Sequence, residues 1–102
     1  VFMAKYEDKS MDDLRKMIDF VKDKEENAIV VLTSTLEKLS FAVGVSKALT
    51  SKWKAGNLVK ILAEITGGKG GGKPDFAQAG GKDKTKIAEA MEAVKKAIQE
   101  KE

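Results

Sequence analysis

Residues 28–46 read AIVVLTSTLEKLSFAVGVS, and this stretch decides the fold. Ala28 to Ser34 is an apolar, β-branched run of the length of a central strand. Ser40 to Ser46 reads as a second strand, in which Phe41, Val43 and Val45 alternate with Ala42 and Gly44. Thr35 to Leu39 is short enough to join them as a hairpin. The longest unbroken apolar run of the chain, Ala28 to Leu32, lies here too. A membrane-spanning helix needs roughly 20 such residues, so no span and no membrane partner is expected.

Toward the N-terminus, Val1 to Glu7 reads as a strand, with Phe2, Ala4 and Tyr6 alternating against Met3 and Lys5. Ser10 has the look of a helix N-cap, because Asp13 stands three residues on, the spacing of a capping box. Met11, Leu14, Ile18 and Val21 then recur at helical spacing, and Met11 is expected in the core. Asp12 and Asp13 suit the positive end of this helix, Lys22 and Lys24 its negative end, and it should stop near Glu25 and Glu26. A strand, a helix and a strand in this order predict two parallel strands joined by a right-handed crossover.

Toward the C-terminus, Leu58, Ile61, Leu62 and Ile65 mark a second amphipathic helix, with Gly67 placed to cap it in the left-handed conformation. Asp83 offers an N-cap for a third helix, in which Ile87, Met91, Val94 and Ile98 recur, and Met91 too is expected in the core. The expected fold class is α/β: a small mixed β-sheet with a βαβ unit and a hairpin, helices packed on it as an α/β sandwich, and one domain over residues 1–102.

Between the last two helices lies GGKGGGKPDFAQAGG, residues 67–81, which holds seven of the nine glycines and the only proline. The sequence predicts a glycine-rich loop over 67–82, pinned at both ends. An ordered loop longer than about 12–15 residues in such a place is usually functional. Glycine lacks a Cβ, so its backbone amides can approach a large flat partner. The pattern is neither G-x-x-x-x-G-K-[ST], because Pro74 follows Lys73, nor a dinucleotide fingerprint, because the segment follows a helix. Amides near Gly70–Gly72 and the start of the third helix remain suited to phosphate oxygens or ribose. Asp75 and Gln78 could bond a ribose or base edge, or Asp75 could cap a turn after Pro74. Phe76 reads as a staple to the core.

Charge sharpens this picture. Residues 1–46 carry seven basic and nine acidic side chains, whereas residues 47–86 carry nine lysines against Glu64, Asp75 and Asp83. Lys47, Lys52, Lys54 and Lys60 precede the glycine segment, and Lys82, Lys84 and Lys86 follow it. Each alone reads as a solvated side chain, but on one face they would neutralise a polyanion. Trp53, between Lys52 and Lys54, reads as an anchor of its connection in preference to a base-stacking platform.

The chain has no cysteine and no histidine. Disulfides, thiolate metal sites and the usual imidazole-based nucleophile arrangements are therefore excluded. No catalytic constellation and no cofactor site is expected in this domain. The chain opens on Val1, without a visible signal peptide, and is expected to be a cytoplasmic piece of something longer.

From about Ala28 to Ile98 the chain resembles the DHHA1-type C-terminal domain of the alanyl-tRNA synthetase family, a group also appended to DHH phosphoesterases. The most specific part is Gly70-Gly71-Gly72-Lys73-Pro74-Asp75, continuing through Ala77-Gln78-Ala79-Gly80-Gly81. The phosphoesterase branch places histidine after the three glycines; Lys73 favours the synthetase branch. The resemblance implies a domain that grips the elbow of alanine-accepting tRNA and serves the upstream aminoacylation and editing domains of an alanine–tRNA ligase. That parent would use ATP, magnesium and zinc, none of them bound here. It implies RNA contacts from Lys69, Gly70, Gly71, Gly72, Lys73, Gly80 and Gly81. The residue-based reading adds Asp75, Gln78, Lys82, Lys52 and Lys54. The alternatives are a homodimerisation or docking module of the same enzyme, and the tail of a free-standing alanyl-tRNA editing protein.

Overall fold

The computed structural model describes residues 2–36 and 38–100; Val1, the expected first residue of the first strand, lies outside them. Strand β1 (Phe2–Tyr6) leads into helix α1 (Met11–Lys24), then strands β2 (Ile29–Ser34) and β3 (Ser40–Val45). Helix α2 (Ala55–Thr66) follows, then β4 (Lys69–Gly72), β5 (Phe76–Gly80) and helix α3 (Ile87–Glu100). The sheet order is β1-β2-β3-β5-β4, with β1 parallel to β2 and every other pairing antiparallel. The expected βαβ unit, the hairpin and the mixed sheet are all present.

Helices cover both faces of the sheet. On one face Val31, Phe41, Val43, Ala77 and Ala79 pack against Leu58 and Leu62 of α2 and against Ile87, Val94 and Ile98 of α3. On the other, Val30, Leu32 and Ala42 pack against Leu14 and Ile18 of α1. Both faces of β2 are therefore buried along its whole length, which is why its sequence is a continuous apolar run rather than an alternating one. Helix α1 lies close to β3 because position 44 is glycine: a Cβ there would stand 2.2 Å from Cγ2 of Ile18.

Ser10 and Asp13 form the expected capping box: the Asp13 amide donates to the Ser10 hydroxyl at 3.2 Å, and the Ser10 amide to the Asp13 carboxylate at 3.1 Å. The Ser10 amide, and after it the Ser10 hydroxyl, hold the Asp13 carboxyl below its ordinary pKa. A lowered folded value means that the ionised form supports the fold above the unfolded aspartate value, about 3.9, and that this support fades as pH falls through the lowered one. Asp13→Asn is accordingly expected to destabilise at pH 7 and to close the gap to the parent progressively as pH falls below the unfolded aspartate value, as read by urea unfolding at pH 7 and across the acid range. Asp83 caps as expected, by accepting from the Thr85 amide at 3.0 Å, but the turn it starts is a 3-10 turn, Lys84–Lys86, ahead of α3.

Trp53 is 8% exposed and its indole N–H donates to the Ile98 carbonyl at 3.3 Å. It ties the entry of α2 to the end of α3 and is the expected anchor. Met11 and Met91 are partly buried against the two cores.

Candidate functional site

The segment expected as a loop is a β-hairpin. Lys69–Gly72 pairs with Phe76–Gly80, and Lys73 to Asp75 join the two strands. Glycine is a poor strand former, and three in a row conceal an edge strand. The visible signal was the alternation of β5, in which Ala77 and Ala79 are buried while Gln78 and Gly80 are exposed.

The glycines are there for close approach rather than for unusual dihedrals, since Gly67 alone has a positive φ, 75°, as the left-handed cap of α2. An added Cβ at Gly70 would stand 2.1 Å from Cβ of Ala79, and one at Gly72 would stand 2.7 Å from Cα of Ala77. Gly71 points the other way, and a Cβ there would meet nothing within 4 Å.

Both ends of the hairpin are fastened. At the tip, the Ala55 amide opening α2 donates to the Pro74 carbonyl at 2.8 Å, and the Val45 amide ending β3 donates to the Asp75 carbonyl at 2.9 Å. The Lys22 ammonium of α1 also donates to the Asp75 carbonyl, at 3.1 Å, and lies 3.9 Å from its carboxylate. At the far end, the Lys82 and Asp83 amides both donate to the Thr66 carbonyl at 2.9 Å.

Strand alternation sorts the hairpin by face. Ala77 and Ala79 turn toward α2. Gln78 and Gly80, with their register partners Gly71 and Lys69, turn to the α1 side. There the apolar face of α1 packs over β1, β2, β3 and Phe76, while Gln78 and Gly80 stay exposed. What remains is a strip of sheet floored by backbone, with Lys69 at one end and Lys73 at the other. Four residue steps along extended chain separate those lysines, about 13 Å. The strip opens into a cleft of about 430 Å³ lined by Gly71, Gly72, Lys73, Asp75 and Gln78, with Arg15, Asp19 and Lys22 of α1 as its wall. On the α2 side of β4 a smaller depression, about 270 Å³, gathers Lys54, Asn57, Lys60 and Lys73.

Most of the expected site residues thus meet in one region: Lys69, Gly70, Gly71, Gly72, Lys73, Asp75, Gln78 and Gly80 belong to the hairpin, and Lys54 borders it. Gly81 and Lys82 follow at its far end; a Cβ at Gly81 would stand 2.4 Å from the Thr66 hydroxyl, so this glycine serves packing. Lys52 lies over the Trp53 ring at 4.7 Å, lining neither cleft. Sequence reasoning missed Arg15 and Lys22. Their signal was a polar stripe at i, i+4 and i+7, Arg15, Asp19 and Lys22, beside the apolar stripe of α1. Among the described residues no group of acidic side chains is arranged to hold a metal.

Known proteins share both the sequence and the fold. The DHHA1 domain model matches residues 1–100. The alanine–tRNA ligase of Fusobacterium nucleatum is 62% identical over 99% of this chain, which spans 12% of that relative's length. The solved C-Ala domain of Aquifex aeolicus alanyl-tRNA synthetase superposes with a TM-score of 0.86 at 29% identity, over 93% of this chain and 86% of that one. A solved DHH-domain protein, described as a member of a family of ribosomal proteins, shares the fold, with a TM-score of 0.57 at 23% identity over 80% of this chain and 19% of that one. The chain belongs to the DHHA1 domain family, as the type found at the C-terminus of alanyl-tRNA synthetase.

Proposed function

We propose that this chain is the tRNA-binding domain of an alanine–tRNA ligase, and that the bare strip of the β4–β5 hairpin receives the elbow of the tRNA. One observation carries this: a surface of sheet backbone at Gly71 and Gly80, with Gln78 beside them, bracketed by the exposed cations Lys69 and Lys73. A flat nucleic-acid surface can lie on such a strip, and the lysines neutralise phosphates at its ends. Contacts of this kind position a partner without specifying its sequence, so discrimination among elbow-containing tRNAs should be weak. Aminoacylation with ATP and magnesium, and editing with zinc, belong to other domains of the parent, and the setting is the cytoplasm.

The test is a titration of the chain into an intact alanine tRNA transcript and into a minihelix of its acceptor stem, at two salt concentrations. Tighter binding of the intact tRNA is expected. The slope of log affinity against log salt should become shallower by about 0.7–0.9 for each phosphate contact removed, so Lys69→Ala with Lys73→Ala should flatten it by roughly twice that. Equal binding of tRNA and minihelix would sink the elbow assignment.

A docking role has its own support. Phe2 is 46% exposed and Phe20 63%, and an apolar cleft runs between β1 and α1 past Phe2, Tyr6, Met17 and Val21. Light scattering that reports a dimer at micromolar concentration would favour that reading.

A further inference from the structure

Arg15 is the only arginine of the chain, and it stands where α1 overlooks the strip. The three polar residues of the α1 wall are not equivalent. Lys22 is occupied by the Asp75 carbonyl and carboxylate. Asp19 carries the charge that repels a polyanion. Arg15 is exposed and is held by a ring, its guanidinium carbon 5.1 Å from the centroid of Phe76, with no carboxylate partner among the described residues.

The ring matters because it fixes the cation without using its hydrogen bonds. A guanidinium stacked on an aromatic face keeps its planar fork of N–H donors free, and that fork matches two oxygens of one phosphate. Phe76 is itself partly buried against the α1-side core, so the support is rigid. Lys69 and Lys73 differ in kind: each is a point charge on a flexible stem, able to follow a phosphate but not to place one.

We propose that Arg15, stacked on Phe76, is a phosphate-contacting residue of the RNA site. It fixes the line along which the sugar–phosphate backbone passes when a flat element of the RNA rests on the glycine strip. Asp19, one turn further along α1, sets a like charge against a neighbouring phosphate and limits the helix to a single contact. This inference rests on the tRNA reading above and adds to it a contact from the acidic half of the chain.

The test is the salt dependence of binding of an intact tRNA transcript to the chain and to its Arg15→Ala, Arg15→Lys and Lys69→Ala/Lys73→Ala variants, with melting curves alongside. Arg15 is exposed, so melting should not move. Arg15→Ala should weaken binding roughly tenfold, the scale of one charge-assisted bond, and flatten the slope by about 0.7–0.9. Arg15→Lys should keep the slope and still lose affinity, because lysine has no fork. If Arg15→Ala keeps the parent slope while the double lysine variant flattens it, Arg15 makes no phosphate contact and the hairpin assignment stands. If neither flattens it, both readings fall.

Discussion

Gly44→Val is expected to destabilise the domain by about 1–3 kcal/mol or more, the range for overfilled cores. For a domain near 100 residues each kcal/mol lowers the melting temperature by roughly 4–8 °C. The cause is local and named: the new Cβ would overlap Cγ2 of the fully buried Ile18, at 2.2 Å. That atom is rooted on the Ile18 Cβ, so it cannot swing aside as the end of a long side chain could. Either α1 lifts off β3 or β3 bends, and β3 is held by β2 and β5 on both edges. Lifting α1 also strains the Lys22–Asp75 contact at the hairpin tip. Ile18→Leu, which removes that branch, should recover part of the stability of Gly44→Ala in a double-mutant cycle, as contacting residues couple and distant ones do not. Urea unfolding of the four proteins measures this. Additive losses would show that the contact does not set the helix-to-sheet distance.

Gly71→Val is expected to leave the fold intact and to remove at least tenfold of the tRNA affinity, about 1.4 kcal/mol. Nothing stands within 4 Å of the added Cβ, and valine suits a strand. Stability should therefore stay within about 0.5 kcal/mol of the parent. The isopropyl group would instead rise from the strip on which the RNA is proposed to lie. Gly70→Val is the control on the opposite face: its Cβ would stand 2.1 Å from Cβ of Ala79, so it should unfold the hairpin, as circular dichroism melts would report. The two neighbours should thus fail in different assays. Undiminished tRNA binding by Gly71→Val would show that RNA does not lie flat on this face.

Much of this was written plainly in the chain. The β-branched run of β2, the alternation of β3, the Ser10–Asp13 box and the Gly67 cap each rest on short-range chemistry, which a sequence displays directly. The β4–β5 hairpin was hidden because its strand character comes from its neighbours: Gly70 and Gly72 are extended where they lie against Ala79 and Ala77, a pairing that no local propensity encodes. Arg15 was hidden for a related reason. Its place beside Phe76 is set by how α1 crosses the sheet, and the two residues lie far apart in the chain. The glycine-rich segment still stood out in the sequence, because an absence of side chains is legible even when the backbone path is not.

The triple fastening of the Pro74–Asp75 tip has a thermodynamic meaning for association. A two-stranded edge ribbon left to itself is marginal in water, and a floppy one would have to be ordered by whatever it met, at a cost in affinity. Here the first turn of α2, the end of β3 and Lys22 of α1 complete that ordering when the domain folds. An RNA bound as proposed would meet a finished surface, and encounter rather than rearrangement would set the pace of its capture.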